Sequence, residues 1–267
     1  MKCNLILGGS GAVFPIFLGV LKGLERQWEV SEIICTSGGS VVSSLFSSPN
    51  NYSLANVEEI LKSNAPSHFV TKYTHSMKRY WKTGSSLCNS HFKQMLIKYC
   101  KYPVFESRCD IQVTAIKENL KDIEVFSKNK NGSFCMSDVV LASCAIPHVF
   151  SSVQIGSEKY VDGGWIEEFP VMTFKNPELP TFVFRVKETE TSWLSDKIMT
   201  LGHSYLYKEV KSLFVDTHYD YFICDLKSNH SKGDFKNLTP KKIQALIEEG
   251  YRQCQKFLKI TRESLGS

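Results

Sequence analysis

The sequence predicts an α/β fold built on a mixed, largely parallel sheet. Three observations carry this: two strand–turn–helix units in series near the amino terminus, a strand pair joined by a charged turn mid-chain, and a long amphipathic helix at the end. The first unit is the apolar run Asn4–Leu7, the turn Gly8-Gly9-Ser10-Gly11, and a helix over Ala12–Glu25. That helix carries Val13, Ile16, Phe17, Val20, Leu21 and Leu24 at helical spacing. The second is Val30–Thr36 with Ile33 and Ile34, the turn Ser37-Gly38-Gly39-Ser40, and a helix of small and apolar residues over Val41–Phe46. Consecutive units of this kind give parallel strands with right-handed crossovers.

Residues 51–102 read as helical and polar, with Val57, Ile60 and Leu61 on one stretch and Phe92, Met95, Leu96 and Tyr99 on another. Core packing explains this region poorly, so it is expected to include a mobile cover over a site. Within it, His68–Lys82 interleaves aromatic and basic residues, which suits either a lipid interface or an exposed helix with its apolar residues turned inward. Cys109–Ile116 and Ile123–Ser127 read as strands separated by the turn Lys117–Asp122, with a further turn at Asn129-Lys130-Asn131-Gly132, and make the sheet mixed. Pro180–Val186 and Tyr221–Asp225 read as later strands. The last helix starts at Thr239-Pro240 and carries the stripe Ile243, Leu246, Ile247, Tyr251, Cys254, Phe257, Leu258. No repeat or linker divides the chain, so residues 1–267 are expected to form a single domain.

With 267 residues and 42% hydrophobic content, the chain can bury a core sufficient for one large domain. No apolar run approaches the ~18 residues of a transmembrane helix. The initial apolar run breaks at Gly8 without a small-residue cleavage site, so no signal peptide is expected. Nine scattered cysteines without a CxxC pair or metal spacing read as free thiols in a reducing compartment. The net charge of +5 is spread along the chain, which does not imply nucleic acid. It suits an anionic membrane surface and equally an ordinary soluble protein. The expected location is intracellular, either cytoplasmic or peripheral at a membrane. Calcium is not expected, since no D-x-D-x-D loop appears.

Cys35-Thr36-Ser37-Gly38-Gly39 departs from G-x-S-x-G only in its first position and lies between an apolar strand and a helix. A serine on so sharp a turn needs small neighbours if its hydroxyl is to project from the sheet, although Ser-Gly-Gly also makes ordinary turns. Gly8-Gly9-Ser10-Gly11 supplies backbone N–H groups at a helix start, an oxyanion-hole candidate. A dinucleotide-binding turn competes, but Phe14 stands where a third glycine is required. Asp162, in Tyr160-Val161-Asp162-Gly163-Gly164, is either a turn residue or a base. Of the histidines, His148 after Pro147 is nearest such a loop in sequence, yet none stands in a catalytic motif.

Taken in order, these pieces resemble the patatin-like phospholipase family over most of the chain. The resemblance rests on the glycine turn with Gly19-Val20-Leu21 and Leu24-Glu25, on Thr36-Ser37-Gly38-Gly39, and on Ala142-Ser143-Cys144-Ala145-Ile146-Pro147-His148-Val149-Phe150. It continues through Gly156, Tyr160, Asp162-Gly163-Gly164 and Phe169-Pro170-Val171 to Gly250-Tyr251 in the last helix. It implies a mixed sheet between helices and a Ser-Asp dyad: Ser37 attacks a lipid ester, Asp162 takes its proton, and an acyl-enzyme forms without metal or cofactor. The implied oxyanion donors are backbone groups of Gly9, Ser10, Gly11 and Gly38, and the implied activity is of phospholipase A or lysophospholipase type. The chain departs from the family pattern at Val13, where a basic residue is usual, at Phe14 and Cys35 in place of glycines, and at Glu168 in place of asparagine. Two other readings stand beside it: a catalytically weak or silent relative that binds lipid or a partner, and an acyltransferase.

Overall fold

The computed structural model describes residues 1–68, 90–119, 122–165, 174–188 and 221–265. In chain order these residues form β1 (Lys2–Leu7), α1 (Ile16–Leu24), β2 (Glu29–Thr36), α2 (Gly38–Phe46), α3 (Leu54–Ser63) and α4 (Ser90–Tyr99). There follow β3 (Asp110–Lys117), β4 (Ile123–Ser127), α5 (Met136–Ser143), β5 (Val153–Ile155) and β6 (Glu158–Asp162). β7 (Thr181–Glu188), β8 (Tyr221–Ser228) and α6 (Pro240–Leu265) complete the described elements.

The fold is α/β, with a mixed, largely parallel sheet flanked by helices. Its eight strands run in the order β5-β6-β3-β2-β1-β7-β8, with β4 on the other edge of β3. β1 pairs in parallel with β2 and β7, as do β2 with β3 and β7 with β8, while β4, β5 and β6 are antiparallel to their neighbours. The helix expected from Ala12 divides at Pro15. A 3-10 turn spans Gly11–Val13 and α1 begins after the proline, which lacks a donor and is tolerated only at a helix start. α6 begins at Pro240 as the sequence indicates, with the N–H of Lys242 donating to Thr239 Oγ1.

Strand alternation sorts the sheet residues onto two faces. Leu5, Leu7, Ile33, Cys35, Phe182 and Phe184 join the main core with the helices, whereas Ile6, Ile34, Val183 and Phe174 make a small cluster on the opposite face. α1 lies directly on α6, because a Cβ on Gly19 would collide with the carbonyl of Ile247 and one on Gly250 with the carbonyl of Ile16. Region 51–102 is better anchored than its polarity suggests. α3 is capped at Ser53 and buries Leu54, Val57, Ile60 and Leu61, and α4 buries Met95 and Leu96, all within the main core. Of the aromatic and basic segment His68–Lys82, residues 69–82 lie outside the described residues.

Two strand ends meet along one edge of β3. β2 runs up that edge to the pair Thr36–Thr114, and β6 comes down it to the pair Asp162–Ala115. β4 occupies the other edge over the same residues. The chain therefore brings the residue after β2 against the last residue of β6, at the carboxyl ends of β1 and β2, where the strand order reverses direction.

Candidate active site

Ser37 sits at the turn between β2 and α2 with φ 49° and ψ −126°, a conformation that L residues adopt only under constraint. The constraint is visible. The Ser37 N–H donates to Ser143 Oγ at 2.8 Å, and its carbonyl accepts from Ser40 Oγ at 2.6 Å. A Cβ on Gly38 would collide with Ser10 Oγ and lie 2.7 Å from Phe14 Cβ, and one on Gly39 would run into the end of β1, 2.9 Å from the Gly8 carbonyl. Both glycines are thus required for α2 to start this close to the glycine loop.

Asp162 ends β6 and is only 3% exposed. Its Oδ2 accepts the Ser37 hydroxyl at 2.6 Å, its Oδ1 accepts the Gly164 N–H at 2.7 Å, and its own N–H donates to the Ala145 carbonyl at 3.0 Å. Burial pushes the carboxyl pKa up to about 7, against the opposing pull of the hydrogen bonds from Ser37 and Gly164. A carboxylate so placed can accept the serine proton near neutral pH without a histidine between them.

Residues 5–175 match the family model of patatin-like phospholipases. The chain belongs to the patatin-like phospholipase family. Among solved structures, VipD from Legionella pneumophila is similar in fold, with a TM-score of 0.55 and 12% identity over 96% of this chain and 66% of that one. The type III effector ExoU matches with a TM-score of 0.45 and 12% identity over 97% of this chain and 53% of its own. ExoU in its complex with SpcU from Pseudomonas aeruginosa matches at a TM-score of 0.42, 13% identity, 97% and 51% coverage. The chain therefore spans between about half and two thirds of the length of these structures.

The patatin-like glycine loop faces the serine. An added Cβ on Gly9 would lie 3.8 Å from Ser37 Cβ and 3.7 Å from Gly164 Cα. Ala12 N–H donates to the Lys232 carbonyl, Val13 N–H to that of Ser10 and Phe14 N–H to that of Gly11. Among the described residues this leaves the N–H groups of Gly9, Ser10 and Gly11 without an acceptor, and Gly38 opens α2 with the unpaired N–H of a first helical residue. Of these, Gly9 is packed beside Ser37 and Gly38 follows it in the chain.

The departures from the family pattern have packing explanations. Val13 and Phe14 are buried in the main core, and Cys35 points into that core with its Sγ 3.5 Å from the Gln112 carbonyl. Burial pushes the Cys35 thiol up to about 12. The first position of the elbow faces inward from β2, so it tolerates any small apolar side chain. Glu168 and Phe169-Pro170-Val171 lie outside the described residues. His148 is exposed at a positive φ of 65° after α5, and His230 Nε2 pairs with the Asp234 carbonyl in the loop after β8.

The sequence marks Ala142–Pro147 as a motif without showing what it does. In the fold it holds both members of the hydrogen-bonded pair, Ser143 through the Ser37 backbone and Ala145 through that of Asp162. Among the described residues no cluster of three or more His, Cys, Asp or Glu side chains is placed to hold a metal, and no helix is long and apolar enough to cross a membrane. The eight cysteines among the described residues are all free thiols.

Proposed function

We propose that the protein is a lipid acyl hydrolase, of phospholipase A or lysophospholipase type, working through Ser37 and Asp162. The observation that carries this reading is the 2.6 Å hydrogen bond from Ser37 Oγ to a buried carboxylate whose pKa stands at about 7. Ser37 Oγ attacks the ester carbonyl carbon while its proton passes to Asp162 Oδ2. The carbonyl oxygen becomes an oxyanion held by the N–H groups of Gly9, Ser10, Gly11 and Gly38, aided by the amino terminus of α2. Collapse breaks the ester C–O bond, and the departing alcohol takes the proton from Asp162. Water then repeats the sequence on the acyl-enzyme, giving its proton to Asp162, and releases the fatty acid and Ser37.

The hydrogen bond from Ser37 to Asp162 supports the proton transfers, and no step calls for a metal or a cofactor. The changes at Val13, Phe14 and Cys35 remove side chains and leave backbone N–H groups, which supports activity over a silent relative. The substrate's physical state argues for work at the surface of a membrane, with the region 51–102 contributing a cover. The test is release of free fatty acid from mixed phospholipid vesicles by the wild type, Ser37→Ala and Asp162→Asn. Release confined to the wild type is expected. Release only in the presence of an acceptor alcohol, as a new ester, selects the acyltransferase reading, and no release from any lipid class selects the silent one.

A further inference from the structure

Ser10 carries the only polar side chain from Gly8 to Pro15, and its hydroxyl is not put to the local use a serine in this place commonly has. Ser10 caps the 3-10 turn Gly11–Val13, where a side-chain oxygen is expected to accept an N–H of the first turn. Here the Val13 N–H goes to the Ser10 carbonyl instead, and the side chain makes no capping bond. Ser10 is 1% exposed, and among the described residues its Oγ has no hydrogen-bond partner. A buried hydroxyl in that state costs stability, and such groups are rare enough in folded proteins that each calls for a reason.

The hydroxyl is turned toward the elbow. A Cβ on Gly38 would collide with Ser10 Oγ, so at ordinary bond lengths Oγ stands within ~4 Å of Gly38 Cα and ~5.5 Å of Gly38 N. An oxygen placed ~2.9 Å from each of two donors can bridge a gap of up to roughly 6 Å. The Ser10 hydroxyl and the Gly38 N–H are therefore close enough to share one acceptor. Gly38 follows the nucleophile directly, and Gly9, the residue before Ser10, is packed beside Ser37.

We propose that the Ser10 hydroxyl is a catalytic side-chain donor to the oxyanion, beside the backbone N–H groups. The proposal rests on the hydrolase reading above. As Ser37 attacks, the carbonyl oxygen takes up negative charge, and the Ser10 O–H turns about its C–O bond to donate to it, with no bond to Ser10 formed and no proton leaving it. Ser37 is itself only 5% exposed, so the ester that reaches the nucleophile meets the hydroxyl in the same step. A donor without a partner in the free protein has no hydrogen bond to give up when the oxyanion appears. Its contribution falls on the transition state rather than on substrate binding, and so on kcat rather than KM.

The experiment measures kcat and KM for a short-chain phosphatidylcholine, together with the urea midpoint, in wild type, Ser10→Ala and Ser10→Gly. In both variants kcat is expected to fall about 10–100-fold with KM within about twofold of wild type. Ser10→Ala should unfold at the same urea concentration as wild type or a higher one, because it removes an unpaired buried hydroxyl. A wild-type kcat in either variant overturns the proposal, and so does a loss of kcat in Ser10→Ala that comes with a lowered urea midpoint, which makes the hydroxyl structural. A second arm uses a trifluoromethyl ketone, which forms an oxyanion on Ser37: its Ki must rise in Ser10→Ala by about the factor that kcat falls, and an unchanged Ki overturns the proposal. Fluorophosphonate labelling of the wild type separates the two readings. Wild type that takes up no probe overturns the hydrolase reading and this proposal with it, whereas wild type that labels, beside a Ser10→Ala variant of unchanged kcat, overturns this proposal alone.

Discussion

In the proposed mechanism Asp162 meets opposite demands on one side chain: it must stay hydrogen-bonded to Ser37 and yet be basic enough to take its proton. Burial settles the matter by lifting its pKa to about 7, and two measurable consequences follow. First, kcat/KM rises about tenfold per pH unit below 7 and levels off above it, because only the carboxylate accepts the proton. A profile flat down to pH 5 contradicts this. Second, the native state binds the Asp162 proton more tightly than the unfolded chain, whose carboxyl titrates near 3.8. The resulting stabilisation is full below about pH 4 and is lost as pH rises through 7. Asp162→Asn removes this dependence, so in urea unfolding at pH 8 the inactive variant should be more stable than the wild type by up to about 4 kcal/mol, with the gap closing near pH 4. Ser143 acts at the same scale. Ser143→Ala leaves the strained Ser37 N–H buried without an acceptor, which costs about 1–3 kcal/mol of stability and lowers kcat, while Ser143→Thr keeps the acceptor. Wild-type kcat in the alanine variant would show that the elbow holds its shape without it.

At the scale of elements, the site is a product of where strands stop. β2 ends at Thr36 and β6 at Asp162 on the same edge of β3, and Gly163 lets the two ends touch, since a Cβ there would lie 2.6 Å from Thr36 Oγ1. That meeting could not be read from the sequence. β5 and β6 span three and five residues, too few for a period to show. α5 is buried on all sides and so has no amphipathic stripe. What was legible were the two long strand–turn–helix units and α6, where the apolar spacing runs over several turns, and the individual motifs whose glycines are dictated by local crowding. The close contact of α1 with α6 is a further element-level feature. Gly19→Ala and Gly250→Ala each push a methyl group into a backbone carbonyl across the helix pair and should destabilise by about 1–3 kcal/mol or more in urea unfolding. A cost under ~0.5 kcal/mol would mean the helices separate freely. For the cover, hydrogen exchange within the region 51–102 is expected to be slowed by phospholipid vesicles; protection equal to that of the sheet with and without lipid contradicts a cover.

For the whole molecule, the switch in strand order at β1 brings together residues from across the chain: Gly9 after β1, Ser37 after β2, Ser143 from α5 and Asp162 from β6. The charge of +5 adds a weak general attraction to an anionic lipid surface, which salt should reduce without touching the chemistry. The central claim is that Ser37 is a nucleophile activated by Asp162, and covalent labelling with a fluorophosphonate tests it most directly. Wild-type protein is expected to take up one probe per chain at Ser37, at a rate that increases with pH through 7, with labelling absent in Ser37→Ala and at least ~100-fold slower in Asp162→Asn. Folded wild-type protein that takes up no probe, or that labels equally well in Ser37→Ala, would contradict it.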